Sequence, residues 1–176
     1  MAPTAIQPRR VRALVQVVNG NADAALTDAR MVVELASRGD PDALNHRAYV
    51  RALVGRELDD ALIDIDAAIT SAGDASAELL DTRGYLLHLL GRQQEAIDQL
   101  NLAIDAMQQS RRQLALLAGR IDPVELARRQ RAVDHALAVM FHHRGLACRA
   151  IGLEQQARQD LEVASRKGFD PSRGIF

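Results

Sequence analysis

Four glycines, Gly20, Gly55, Gly91 and Gly152, recur in one sequence frame. An arginine stands eight residues before each (Arg12, Arg47, Arg83, Arg144), and a small residue follows it directly (Ala13, Ala48, Gly84, Gly145). An alanine stands five or six residues after each glycine (Ala25, Ala61, Ala96, Ala157). Small residues recurring in a fixed frame let two helix backbones approach closely, the signature of stacked helical hairpins. The glycines are 35, 36 and 61 residues apart. The first two intervals fit a two-helix repeat; the third exceeds that period by about 26 residues and marks an insertion. Arrays of this kind bind other macromolecules, so the frame names a scaffold without naming its partner.

Composition narrows the alternatives. A chain of 176 residues has room for one domain or one short solenoid. Apolar residues make up 48% and aromatics only 3%, so the core must be built from Ala, Leu, Val and Ile, which favours helix over sheet. A net charge of −1 argues against a surface that coats nucleic acid. The single cysteine, Cys148, rules out an intramolecular disulfide framework and fits a reducing compartment. No apolar run has the length of a membrane span, and Met1 to Arg10 lacks a signal peptide's apolar segment, so a soluble, cytoplasmic protein is expected. Arginine supplies 21 of the 22 basic residues, a bias that points to a GC-rich coding genome more than to any chemistry.

Helical periodicity runs through nearly the whole chain, broken by short punctuation. Helices are expected over about 6–19, 22–37, 41–54, 58–71 and 75–90, with Asp40-Pro41 supplying an N-cap and a first-position proline. From Arg92 no helix breaker occurs before Gly119, so one helix of about 26 residues, roughly 40 Å, is expected. Asp122-Pro123-Val124-Glu125 reads as a capping-box start for a second long helix that ends near Ile151. The two long helices are expected to overshoot the stack as an antiparallel hairpin. In its seam Ile104, Met107, Leu114, Leu117 and Ile121 face Leu126, Val133, Leu137 and Met140. A last helix covers Glu154 to Arg166, and Asp170-Pro171-Ser172 resembles the start of another.

On these residues the chain resembles the tetratricopeptide repeat family, in a bacterial type. The stretch Leu80 to Met107 carries the resemblance best, through Gly84, Gly91, Ala96, Leu100 and Ala103. Asn45 to Ile69 matches with one extra turn residue, GRELDDA against GRQQEA; Phe141 to Ala164 matches through Gly145, Gly152, Ala157, Leu161 and Ala164. The opening repeat has Val32 where a small residue is usual. The resemblance implies an all-α, right-handed superhelical array of about four helix-turn-helix hairpins in a single domain, 1–176. Repeats are placed at about 6–37, 41–72, 75–107 and 138–167, with the helical-hairpin insert at about 108–134.

In such repeats the first helices line a concave groove that takes a peptide. Carried over, the groove positions are Arg10 and Leu14; Asn45, Tyr49 and Ala52; Asp81, Tyr85 and His88; and His142, Leu146 and Arg149. A C-terminal carboxylate ligand is not expected: the only lysine is Lys167, and Asp81 would repel it. Tyr49 and Tyr85 are the only aromatic anchors available to the groove, and packing between helices is the competing reading for both.

The insert forms a basic arm. Residues 108–133 carry Arg111, Arg112, Arg120, Arg128, Arg129 and Arg131 against Asp122 and Glu125, a net +4. Such a projection can dock an acidic protein, RNA or an anionic surface, or simply solvate an exposed hairpin with its arginine stems. No aromatics interleave with the arginines, so base stacking is unsupported. His135 and His142 are two turns apart, too far to share a metal, and Cys148 lies on the inward stripe of its helix. Arg38-Gly39-Asp40 is explained by helix caps.

The expected function is non-enzymatic protein–protein interaction, without cofactor or metal: an adaptor or scaffold offering a groove and a basic arm to a protein or peptide. The alternatives are a homo-oligomer assembled through the arm or the uncapped C-terminal face, and RNA binding by the arm. Ile175-Phe176 folding back over that face would remove the need for a partner.

Overall fold

A computed structural model describes residues 6–170. Among them the chain is all-helical: α1 (Ile6–Val18), α2 (Ala22–Leu35), α3 (Pro41–Val54), α4 (Leu58–Ala72), α5 (Ala77–Leu89), α6 (Gln93–Ala115), α7 (Pro123–Ala150) and α8 (Glu154–Arg166). Consecutive helices pair as the hairpins α1–α2, α3–α4, α5–α6 and α7–α8. The chain divides into two compact units, Met1–Ala75 with the first two hairpins and Ser76–Phe176 with the last two. Pro171, Ser172, Ile175 and Phe176, on which a further helix start and a fold-back were expected, lie outside the described residues.

The glycine frame has two physical roots. The four frame glycines close the turn between paired helices at φ 74°, 65°, 79° and 79°, where a Cβ would strain the backbone. The small residue after the frame arginine is a contact point. A Cβ on Gly84 would stand 2.6 Å from Leu100 Cγ and 3.3 Å from the Ala96 carbonyl; on Gly145 it would stand 2.9 Å from Leu161 Cγ and 3.3 Å from the Ala157 carbonyl. Ala13 and Ala48 hold the same place in the first two hairpins and are fully buried.

The extra residue in the second turn also has an account. Glu57, which precedes α4, takes up a left-handed conformation (φ 55°) that side chains other than Gly and Asn disfavour. Its carboxylate accepts from Arg51 at 2.9 Å and from Arg30 at 2.6 Å, contacts that offset the backbone cost.

The caps read from the sequence form. Asp40 accepts from the Ala43 amide at 2.8 Å, and Asp122 from the Val124 and Glu125 amides at 2.9 and 3.0 Å. Glu125 does not complete a capping box; it turns outward to Arg128 and Arg129. One boundary differs from expectation. α6 ends at Ala115, and the chain winds on in tight turns, with Leu117 N–H bonded to Leu114 O and Arg120 N–H to Leu117 O, before reaching Gly119 (φ 78°) and beyond.

The seam of the long hairpin also differs. Ile104, Met107, Leu137 and Met140 do meet, but in one buried cluster with Ala77 and Ala103, against which Leu80 and Val133 pack. The base of the arm is therefore the core of the second unit, with α5 as a third wall. Toward the tip Leu114 is buried, Leu117, Ile121 and Leu126 are half-buried, and Leu116 and Val124 are exposed.

Candidate interaction surfaces

In the first unit the groove positions fall on α1 and α3. Leu14 packs against the cluster of Ala13, Ala25, Leu26, Ala29 and Val50, and Ala52 is buried, so neither presents a free edge. Arg10, Asn45 and Tyr49 are half-buried. Arg10 Nε, Asn45 Oδ1 and Nε2 of the neighbouring His46 are buried with no hydrogen-bond partner among the described residues. Burial, reinforced by the positive charge of Arg10, pushes the His46 pKa down to about 4. The imidazole is neutral at pH 7.

In the second unit α5 and α7 bring four rings and a carboxylate together. Tyr85 stacks on His143 with ring centroids 4.0 Å apart and an interplanar angle of 10°. His88 lies 6.3 Å from Tyr85, and His142 packs on Phe169 at 4.5 Å. Asp81 is buried and bonded to His143 Nδ1 at 2.9 Å. This corrects one expectation: Asp81 does not project charge at a ligand, because its carboxylate ties α5 to α7. Tyr85 takes up the packing role that competed with the anchor role, and its hydroxyl pKa is raised by burial and then by Asp81. His143 Nε2, on the far side of the ring, is buried and unpartnered among the described residues. Burial, then the charges of His143, Arg149 and His88, hold the His142 pKa at about 4.

His142, Leu146 and Arg149 turn toward a second feature. With Leu161, Ala164, Ser165, Gly168, Phe169 and Asp170 they line an open cleft of about 740 Å³ between α7 and the end of α8.

The arm carries less available charge than its sequence suggests. Arg128 and Arg129 chelate Glu125 at 2.8 and 2.6 Å, which lowers that carboxyl's pKa to about 2, Arg128 contributing most. Arg111 lies 3.6 Å from Asp134, whose other partner is Lys167 at 2.7 Å. Arg112, Arg120 and Arg131 are exposed, without an ion-pair partner among the described residues. Among those residues no three His, Cys, Asp or Glu side chains converge as a metal site, and no helix is long and apolar enough to cross a membrane. Cys148 is buried, and burial raises its thiol pKa.

Sequence reasoning found the frame arginines but not what they hold. Arg12 makes two bonds to Asp28, Arg47 two to Asp64 at 2.7 Å, and Arg144 two to Asp160 at 2.8 and 2.7 Å. Each fork–fork pair joins the first helix of a hairpin to the second over a largely buried carboxylate. The signal was present: an aspartate three residues after the frame alanine in three repeats, replaced by Gln99 in the α5–α6 hairpin. Arg12 first, then burial opposing it, sets the Asp28 pKa below the ordinary carboxylate range.

No family model matches the chain, and no curated protein matches it. Two solved structures run a similar course. A crystal structure of MamA protein is 17% identical, spans 94% of this chain and 93% of its own, and superposes with a TM-score of 0.48. A second MamA crystal structure is 19% identical over 86% of this chain and 91% of its own, with a TM-score of 0.44. No residue role passes from either to this chain.

Proposed function

We propose that this chain is a non-enzymatic interaction module whose first-helix faces bind an extended peptide or a segment of a protein partner. One observation carries the reading. Among the described residues, Arg10 Nε and Asn45 Oδ1, at groove positions on the first helices α1 and α3, are buried polar atoms without a hydrogen-bond partner. An unpaired buried polar group costs about 1–3 kcal/mol, so such groups mark a surface completed by something else. A main-chain amide offers both the donor and the acceptor that the α1–α3 set needs. The arm is the weaker candidate, because three of its six arginines already engage carboxylates. That partial neutralisation, with no interleaved aromatics, likewise disfavours RNA.

The test is selection of peptide ligands from a displayed library, followed by titration of the best binder. Asn45→Ala is expected to weaken binding about tenfold, equivalent to about 1.4 kcal/mol, with amide shifts clustered on α1 and α3. Reversal of Arg111, Arg112, Arg128 and Arg129 to Glu is expected to leave binding unchanged. Binding lost in the arm variant and kept in Asn45→Ala would move the site to the arm.

A further inference from the structure

Among the described residues the α1–α2 and α7–α8 hairpins carry complementary exposed surfaces. Val11 and Val15 stand one residue before and three residues after the frame arginine Arg12; the same places hold His46 and Val50 around Arg47, and His143 and Ala147 around Arg144. Val50 is fully buried against Ala13, Ala25, Leu26 and Ala29 of the preceding hairpin. His143 and Ala147 are buried too, with His143 bonded to Asp81 of the preceding hairpin. This is the side of a first helix that seats on the hairpin before it. On α1 it is uncovered: Val11, Val15 and Val18 are 61, 49 and 53% exposed, an apolar stripe at i, i+4, i+7.

A seat for such a stripe stands on the α7–α8 hairpin. In the cleft between α7 and α8, Leu146, Arg149 and Leu161 occupy the frame places of Leu14, Val17 and Ala29. In the first hairpin those three residues pack in the cluster that takes Val50 and Val54 of α3. The cleft thus repeats a seat the chain fills twice, with α3 on α1–α2 and α7 on α5–α6, and among the described residues no helix follows α8 to fill it.

We propose that the occupant is α1 of a second copy of this chain, which lays Val11, Val15 and Val18 into the α7–α8 cleft. The contact is heterologous: each copy offers one stripe and one cleft, so one contact leaves a free stripe and a free cleft, which either close on each other or take further copies. It goes beyond the peptide reading and can fail separately from it.

Sedimentation velocity over a concentration series tests the contact with two variants at exposed positions, Val15→Asp on the stripe and Ser165→Arg in the cleft. The wild type is expected to associate as concentration rises. Each variant alone stays monomeric where the wild type has associated, about tenfold or more weaker in self-affinity. An equal mixture of the two regains one intact stripe and one intact cleft, and forms a complex that stops at the dimer. A wild type that is monomeric at every concentration overturns the proposal. So does association that survives both substitutions, or a mixture that stays monomeric. Helical circular dichroism and Asn45-dependent peptide binding, expected unchanged in both variants, separate a lost contact from a lost fold; Val11→Lys replaces Val15→Asp should the latter unfold.

Discussion

The α5–α6 and α7–α8 hairpins close on the same contact and are tied by different means. In both, a glycine on the first helix admits a leucine from the second, and a Cβ there would stand 3.3 Å from an alanine carbonyl. Yet Arg144 is forked onto the buried carboxylate of Asp160, whereas the corresponding place in the other hairpin holds Gln99. The leucines differ as well: Leu100 is fully buried, Leu161 only half. The close approach is therefore common to both hairpins, whereas the fork onto an aspartate three residues after the frame alanine belongs to α7–α8 and not to α5–α6. Buried pairs contribute little net stability relative to apolar packing but are costly to break singly, so the two hairpins should respond oppositely to two kinds of substitution.

The largest effect is expected at the glycines. Gly84→Leu should destabilise by about 4 kcal/mol or more, beyond the usual overpacking range, since neither the fixed Leu100 nor the Ala96 carbonyl can yield. Gly84→Ala should cost about 1–2 kcal/mol after the helix-propensity gain, and Gly145→Ala less, because the half-buried Leu161 has more room to shift than the fully buried Leu100. Urea unfolding midpoints check this, and equal costs at the two sites would break the comparison. Next comes the tie: Asp160→Ala leaves Arg144 without its fork partner and should cost about 2 kcal/mol, against about 0.5 kcal/mol for Gln99→Ala.

The smallest effect is a pH dependence that both units should share. His46 in the first unit and His142 in the second have folded pKa values near 4, below the unfolded value of about 6.5. The unfolded chain therefore takes up protons first as pH falls, so stability is full above about 6.5, declines toward 4, and draws no further loss from these groups below that. The Asp28 carboxyl, whose folded pKa is lowered, loses its contribution only at more acid pH. His46→Gln and His142→Gln should each flatten the decline between 6.5 and 4, measured as the unfolding midpoint against pH. An unchanged slope in either variant would remove that histidine from the account.

The helices were legible because their boundaries are local chemistry: Asp40-Pro41 and Asp122-Pro123 start α3 and α7, and the frame glycines take the left-handed turn that only they adopt without strain. The end of α6 was not. No breaker precedes Gly119, and at an exposed tip, where Leu116 has little to pack on, nothing holds the helix past Ala115. The Arg–Asp forks were half legible, as a repeated arginine whose partner lies on another helix. Asp81–His143 joins residues 62 apart, and no spacing within one repeat encodes it. The unpaired atoms of Arg10, Asn45 and His46 depend on how α1 meets α3. Residue types alone carry no trace of them.

Cys148 gives the last hairpin a built-in chemical clock. Its thiol lies on α7 in the closed interior and is the only one in the chain, with its ionisation suppressed by burial. A thiol reagent can reach it only when the packing around α7 opens, so the labelling rate reports that opening, with no background from any other thiol. The same single atom would thus time the breathing of the very end where the cleft lies, and a partner seated there would register as a slowing of that clock.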